Sequence, residues 1–354
     1  LARRAFERML PLAPELETYR GLLYGAALLH DIGHGPLSHT GEEMFGLHHE
    51  AWSARVIRHH PEIHDCLESH ASGTAEAVAN LLEHGRSPHP LIKHLVSSQL
   101  DCDRLDYLLR DSYSTGTRYG QLDLDRILGA LTLAPDGDMA IHPKGLMAVE
   151  HYLVVRNLMY RSVYNHRLNV VCNWLLEKLI LTARQLGPDQ VWADEVMATW
   201  LWQPDQIRLE DFLANDDQRT GYHLQRWQAE APAALAELSG RFLDRRLLKA
   251  TAVEHLSPAD QLQLLATARR LADRHGHDPE LCCGLRHQQL RGYHPYRGGL
   301  RLWDGQQLQA LEKASPLVAS LATPAATSWL IHPRDISNEL RQEMDVEWPR
   351  AAAA

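Results

Sequence analysis

The chain lacks the features that would indicate a membrane protein, a secreted protein or a protein stabilised by disulfide bonds. No apolar run among its 354 residues approaches the length of a transmembrane helix, and no secretory signal is visible. Its five cysteines are odd in number and have no C-x-x-C spacing, which argues against a structural zinc site. These absences predict reduced thiols and a cytoplasmic protein.

Composition limits the classes of function further. Hydrophobic residues make up 45% of the chain and charged residues 23%, which is ordinary for a globular protein of one large or two modest domains. The net charge of −9 argues against general nucleic-acid binding, because such binding needs a basic surface. A change of composition near Pro188 predicts two regions, residues 1–187 and 188–354.

Apolar residues recur at three- and four-residue spacing along most of the chain, which predicts an all-α fold. A small β-hairpin is predicted at 131–133 and 139–141, around Pro135-Asp136-Gly137. The long apolar segment that ends near Leu186 predicts a scaffold helix, bent or divided near Asn165. The C-terminal region is predicted to be mostly helical, with a short strand at 300–303 after a loop. The predicted helices of the N-terminal half include 1–10, 15–30, 37–45, 49–59, 75–82, 94–100 and 103–111.

The first chemical motif is the stretch from Leu28 to His39, LLHDIGHGPLSH. His34 follows His30 by one helical turn, which predicts that both imidazoles lie on one face. Imidazole and carboxylate ligands suit a divalent ion, and the pattern does not distinguish Mn, Mg, Fe, Ni and Zn. The chain holds 22 histidines, so a lone His-Asp pair would be weak evidence for a metal site. The whole pattern, with His49-Glu50 shortly after it, predicts a catalytic, hydrolytic metal site.

The second motif is the segment 101–111, which carries four aspartates on an otherwise apolar, periodic helix. Buried carboxylates need cations or hydrogen bonds, so this segment predicts a further acidic metal ligand. The alternative is an exposed helix with internal ion pairs, such as Asp106 with Arg110.

The third motif is the segment 156–167, in which arginines alternate with Tyr160 and Tyr164. Arginine binds phosphate oxygens in a bidentate manner, and tyrosine can stack on a base or line a sugar-binding pocket. The alternative is an amphipathic helix with a solvated basic edge.

Together these three segments resemble the HD-domain phosphohydrolases over roughly the first 185 residues. Within that superfamily they resemble the deoxynucleoside triphosphate (dNTP) triphosphohydrolases, which include dGTPase-like enzymes and the sterile-alpha-motif and HD-domain dNTPase. The resemblance implies an HD-domain helical fold and a metal-dependent hydrolase. Water activated by the metal would attack the α-phosphate of a dNTP and release a deoxynucleoside and inorganic triphosphate.

The resemblance also implies roles for individual residues. His30 and Asp31 match the metal ligands of the family, and Asp103 matches its distal aspartate ligand. His34 matches a histidine that contacts phosphate, and Glu42 matches the acidic residue beside that histidine.

Further roles concern the leaving group and the substrate. His49 matches a general acid, and Glu50 would support it. The residues implied in substrate binding are Arg104 and Arg156 for the phosphates, Tyr107 and Asp111 for the sugar, and Tyr164 for the exclusion of ribonucleotides.

In the family, the first metal ligand along the chain is a histidine upstream of the helix that starts here at Leu1. We expect that histidine in a segment preceding this sequence. The family also implies homo-oligomers. Two alternatives stay open: an HD hydrolase of another nucleotide (a monophosphate, a cyclic nucleotide or an alarmone), and a nucleotide-sensing module with a degenerate site.

Overall fold

A computed structural model of the chain describes residues 1–290, 292–295 and 299–347, and most of these lie in helices. A π-helical turn occupies Tyr160–Tyr164, and 3-10 turns occupy Pro14–Tyr19, Pro143–Gly145 and Pro204–Gln206. The α-helices are α1 (Ala2–Met9), α2 (Arg20–Leu29), α3 (Ser38–Phe45), α4 (His49–His59), α5 (Pro61–His70), α6 (Thr74–His84), α7 (Pro90–Val96), α8 (Cys102–Thr115), α9 (Leu124–Gly129), α10 (Leu146–Met159), α11 (Arg167–Leu186), α12 (Glu195–Trp202), α13 (Leu209–Ala214), α14 (Asp217–Glu230), α15 (Ala233–Leu243), α16 (Pro258–Arg274), α17 (Pro279–Cys282), α18 (Leu311–Ala314), α19 (Pro316–Leu321) and α20 (Ser337–Glu347).

The strands form two small sheets. One sheet has the order β1-β2-β5-β6, in which β2 and β5 are parallel and the other pairs are antiparallel. The other has the order β3-β7-β4 with both pairs antiparallel. The strands are β1 (Leu131–Leu133), β2 (Met139–Ile141), β3 (Lys249–Ala252), β4 (Gly284–Leu290), β5 (Arg301–Trp303), β6 (Leu308–Ala310) and β7 (Ala325–His332).

The chain divides into two compact units. The first comprises residues 1–34, 47–164 and the described part of 291–324, and it contains the four-stranded sheet. The second comprises residues 35–46, 165–290 and the described part of 325–354, and it contains the three-stranded sheet. The division at residues 187 and 188 that the sequence suggests stays a prediction.

Each unit has its own apolar core. In the first unit, Phe6 of α1, Leu23 of α2 and Leu153 of α10 are fully buried in one cluster. Burial of each such side chain contributes roughly 1.5–3 kcal/mol to the free energy of folding. Leu105 and Leu108 of α8 belong to the same cluster, so this core holds α2 and α8 together within the unit. In the second unit, α16 and α20 pack with β7 around Leu264 and Leu330.

The structure confirms the predicted helical fold, the hairpin, the short strand at 301–303 and the division of the long segment near Asn165. Of the loop predicted before that strand, residues 296–298 lie outside the described residues.

Three details differ from the prediction. Helix α5 follows Pro61, because proline at the first helical position begins a helix as well as ending one. Helix α7 ends at Val96 rather than near Leu100. The three-stranded sheet was not predicted, because its strands pair with partners far away in sequence.

None of the helices in the described part of the chain has both the length and the apolar character that crossing a bilayer requires.

His332 is a buried titratable group at the end of β7 and is 1% exposed. Its Nδ1 lies 2.7 Å from the carbonyl oxygen of Pro333, and its Nε2 lies 2.9 Å from the hydroxyl of Thr251. Burial lowers the pKa of His332 to about 4, and the charge of Lys249 lowers it further. In an unfolded chain the pKa of histidine is about 6.5. The unfolded state therefore takes up a proton between pH 6.5 and 4 before the folded state does, so stability present above pH 6.5 is lost as the pH falls.

We expect the fall in unfolding free energy between pH 7 and pH 4.5 to be roughly 2 kcal/mol smaller in His332→Gln than in the wild type. Urea unfolding at both pH values measures this difference. The control is His59→Gln, which removes an exposed histidine. Equal pH dependence in the wild type and in His332→Gln would contradict the assignment.

Candidate metal centre

The His-Asp pair lies in a turn rather than on a helix. Helix α2 ends at Leu29, and the turn after it is closed by a hydrogen bond of 3.1 Å from the amide of His34 to the carbonyl of Asp31. The expectation that His30 and His34 share a helical face is therefore wrong. The two imidazoles instead reach the carboxylate of Asp31 from either side through the turn.

Gly33 lets this turn lie directly against helix α4. A methyl group at Gly33 would stand 2.1 Å from the backbone nitrogen of Ser53 and 2.2 Å from the carbonyl oxygen of His49. The Ser53 hydroxyl accepts a hydrogen bond from the amide of Gly33 at 2.9 Å and donates one to the carbonyl of His30 at 2.7 Å. This backbone contact places His49, the first residue of α4, beside Asp31.

Three ligand groups meet at one point of the first unit. The Nε2 atom of His30 lies 3.4 Å from Asp31 Oδ2 and 3.3 Å from Asp103 Oδ1. The ligand atoms of these three residues all lie within 4.8 Å of one another. His30, Asp31 and Asp103 would together be able to hold one divalent cation.

The hydrogen bonds of His30 favour a metal ligand. Its Nδ1 lies 3.2 Å from the carbonyl oxygen of Ala27, so Nδ1 carries an N–H and Nε2 is the atom directed at the carboxylates, where a cation would replace its proton. Among the described residues, the buried Nε2 has no well-aligned hydrogen bond. The Asp103 carboxylate raises the pKa of His30 to about 9, burial opposes this, and Asp31 adds to it. This concentration of negative charge suits a divalent cation.

His34 and His49 stack beside Asp31. Their ring centroids are 4.1 Å apart with planes inclined by 16°. The Nε2 atoms of His34 and His49 lie 3.6 Å and 4.0 Å from the same oxygen, Asp31 Oδ1. Two nitrogen bases are thus held next to the carboxylate of a metal ligand, as acid-base catalysis requires.

The two glutamates that the sequence suggested lie on different helices. Glu50 is exposed in the first turn of α4, and the described residues give it no hydrogen bond or ion pair. Glu42 belongs to the second unit, on α3, where its carboxylate lies 2.9 Å from Nδ1 of His39. The structure therefore does not bring Glu50 into contact with His49, and the roles of both glutamates stay predictions.

The four aspartates of segment 101–111 have four different settings. Asp101 is 1% exposed and caps α8, accepting from the amides of Ser98 at 2.9 Å and Arg104 at 2.7 Å. Asp103 faces His30, and Asp111 faces Tyr164. Asp106 forms the exposed ion pair with Arg110, at 2.8 Å, that the alternative interpretation describes.

The two predicted phosphate-binding arginines are also held differently. The Arg104 guanidinium forms an ion pair with the buried Asp101 carboxylate. Arg156 is 5% exposed, and its Nη1 donates to the side-chain oxygen of Gln99 at 3.0 Å. Arg161 and Arg167 are exposed, as expected for a solvated basic edge.

A cluster of tyrosines ends at Asp111. The π-helical turn after Met159 places the ring of Tyr160 5.1 Å from that of Tyr164, which lies 5.8 Å from the ring of Tyr107. The hydroxyls of Tyr107 and Tyr160 are 3.2 Å apart, and the Tyr164 hydroxyl donates to Asp111 at 2.7 Å. Burial raises the pKa of Tyr107 and of Tyr164, so both remain protonated hydrogen-bond donors. Turns of this type often occur at functional sites.

A cavity of about 520 Å³ opens beside the metal ligands within the first unit. His30, Asp103 and Arg110 line it together with apolar side chains such as Tyr24 and Leu95. This volume is within the range of small-molecule binding pockets.

Sequence reasoning missed two residues that support the site. Ser53 follows His49 by one helical turn, and that spacing was an available signal. Gln99 lies in the loop between α7 and α8, and nothing in its surroundings in the sequence marks it.

Comparison with known proteins defines the class. The chain matches the family model of the HD domain over residues 2–111 and that of the HD associated region over residues 122–332. It belongs to the family of HD-domain phosphohydrolases with an HD-associated region. These are metal-dependent enzymes, and the cluster of His30, Asp31 and Asp103 is one that could hold the divalent ion.

Individual relatives agree with this family. The uncharacterized protein YwfO of Bacillus subtilis is 30% identical over 347 residues, which are 95% of this chain and 79% of the relative. The family therefore extends well beyond the first 185 residues. A Dictyostelium discoideum protein named as a deoxynucleoside triphosphate triphosphohydrolase, a SAMHD1 homolog, is 26% identical over 52% of this chain and 38% of its own length. The crystal structure of a phosphohydrolase from Bacteroides thetaiotaomicron has the same fold, with a TM-score of 0.78, 24% identity and coverage of 94% of this chain and 85% of that one.

Replacing Asp103 with asparagine should weaken Mn²⁺ binding by at least about tenfold, because a charged oxygen ligand becomes a neutral one. Isothermal titration calorimetry measures the affinity. The matched control is Asp106→Asn, which makes the same charge change on the same helix at a residue paired with Arg110. Equal losses in the two variants would indicate a general effect of charge rather than ligation.

Proposed function

We propose that this protein hydrolyses deoxynucleoside triphosphates to a deoxynucleoside and inorganic triphosphate. The observation that carries the proposal is the order of side chains along α8. Asp103, Tyr107 and Asp111 follow one another at four-residue spacing and so share one helical face. They span roughly 12 Å from the candidate metal centre to the tyrosine cluster, which suits a ligand with a phosphate end and a sugar end.

The sugar end of the site is the pair Tyr164 and Asp111. A carboxylate that already accepts a hydrogen bond from Tyr164 retains lone pairs for a 3′-hydroxyl. The Tyr164 ring, packed edge-on against Tyr107, restricts the space beside the 2′-carbon of the sugar. This combination supports a deoxyribose rather than a ribose.

The phosphate end is supported by Arg104 and Arg156, whose guanidinium groups can bind phosphate oxygens through paired hydrogen bonds. A divalent cation held by His30, Asp31 and Asp103 would supply polarised water and neutralise phosphate charge. In the overall reaction a water oxygen bonds to the α-phosphorus, and the bond from that phosphorus to the 5′-oxygen breaks.

Histidines complete the proposed site. His49 would donate a proton to the departing 5′-oxygen, and its stacking on His34 holds its ring beside Asp31. His34 would contact the phosphate. The name of the Dictyostelium relative supports the same reaction class. Assembly into homo-oligomers and a cytoplasmic location remain predictions.

The full-length protein, incubated with each dNTP and Mn²⁺, should release inorganic triphosphate, and Asp31→Ala should abolish that release. Ion-exchange chromatography separates triphosphate from pyrophosphate and orthophosphate. Release of another phosphate product would favour an HD hydrolase of a different nucleotide. Nucleotide binding without any product would favour the sensing module.

Tyr164→Ala should raise the ratio of ribonucleotide to deoxyribonucleotide turnover by roughly ten- to a hundredfold, because it opens space at the 2′-carbon. Tyr164→Phe is the matched control, since it keeps the ring and removes only the hydrogen bond to Asp111. Steady-state kinetics with GTP and dGTP give the ratio. The proposed sugar pocket would be wrong if the alanine variant discriminated as well as the wild type.

A further inference from the structure

We propose that Gln99 is a positioning residue that holds Arg156 through a neutral hydrogen bond and so leaves its charge available to a substrate phosphate. This inference rests on the proposed function, because it concerns the anion that Arg156 would bind.

Gln99 is fixed on both its main chain and its side chain. It lies in the loop between α7 and α8 and is 8% exposed. Its carbonyl oxygen accepts a hydrogen bond of 2.8 Å from the hydroxyl of the fully buried Tyr152. Its side-chain oxygen accepts from Arg156 Nη1 at 3.0 Å. Since Tyr152 and Arg156 are one turn apart on α10, the loop is held against one face of that helix.

The electrostatic setting of Arg156 differs from that of Arg104. A carboxylate, Asp101, compensates the charge of Arg104. Among the described residues, no carboxylate forms an ion pair with Arg156, and its guanidinium donates to the side-chain oxygen of Gln99. A guanidinium that is 5% exposed and has no counter-charge is costly to bury, and a bound anion would offset that cost.

Arg156 lies beside the tyrosine cluster. Its guanidinium is 5.6 Å from the ring centre of Tyr160. A phosphate bound there would meet a cation whose charge no carboxylate of the described residues compensates.

An amide suits this position better than a carboxylate would. It occupies one of the five N–H donors of the guanidinium and leaves the others, with the full positive charge, for a phosphate. A glutamate at position 99 would form an ion pair with Arg156 and cancel the charge. The fold would then gain an ion pair while the site lost affinity for anions.

Gln99→Glu tests this inference, because it should weaken ligand binding without lowering the stability of the fold. We expect the Kd for inorganic triphosphate and the KM for the dNTP to rise about tenfold or more. We expect the melting temperature without ligand to stay level or rise. Calorimetry, steady-state kinetics and thermal unfolding measure the three quantities, with Mn²⁺ affinity as a check on the metal centre.

Further variants separate positioning from a structural role. Gln121→Glu makes the same charge change at an exposed residue and should leave all these quantities near the wild-type values. Gln99→Leu removes the acceptor, so it should lower both the melting temperature and triphosphate affinity. In an Arg156→Met background, Gln99→Glu should produce little further loss of affinity.

The outcomes distinguish the two proposals. If the wild type neither binds triphosphate nor hydrolyses dNTPs, the proposed function is wrong. If the wild type is active and Gln99→Glu keeps the wild-type Kd and KM, the positioning role is wrong while the function stands. A drop in melting temperature for Gln99→Glu equal to that of Gln99→Leu would likewise overturn the positioning role in favour of a packing role.

Discussion

The backbone contact between the Gly33 turn and helix α4 is the constraint on which the candidate site depends. Ser53 bridges the amide of Gly33 and the carbonyl of His30, and any larger side chain at Gly33 would overlap the backbone of α4. Because the two segments touch through main-chain atoms, the separation between Asp31 and His49 cannot relax by side-chain rotation. The backbones that carry the candidate metal ligand and the proposed acid-base histidine are therefore held at one separation.

The aspartates of the segment 101–111 have different partners, although composition alone makes them look alike. Each aspartate of this segment meets a different partner: Asp101 an arginine, Asp103 a histidine, Asp106 an exposed arginine and Asp111 a tyrosine hydroxyl. One carboxylate pairs with an arginine, one faces the candidate metal centre, one is solvated and one accepts from a tyrosine hydroxyl. Such different roles arise because successive turns of the helix face different neighbours.

Much of the fold follows from local pattern. The apolar periodicity predicted helix α4 with its observed bounds, and the turn residues Pro135-Asp136-Gly137 predicted the hairpin. The segment 94–100 was predicted to be helical, but helix α7 ends at Val96. The amides of Ser98 and Arg104 donate hydrogen bonds to the Asp101 carboxylate, which satisfies the backbone there and favours a loop before α8.

The sequence by itself determined the family, the metal-ligand types and the order of the motifs, because these depend on residue identity and short spacing. Apart from local pairs such as Asp106 with Arg110, only the tertiary structure decided the partner of each charged group. Gln99 and Arg156 are 57 residues apart in the chain, and Tyr164 and Asp111 are 53 residues apart. No local pattern encodes such pairs, because packing of α10 and its π-helical turn against α8 and its preceding loop brings them together.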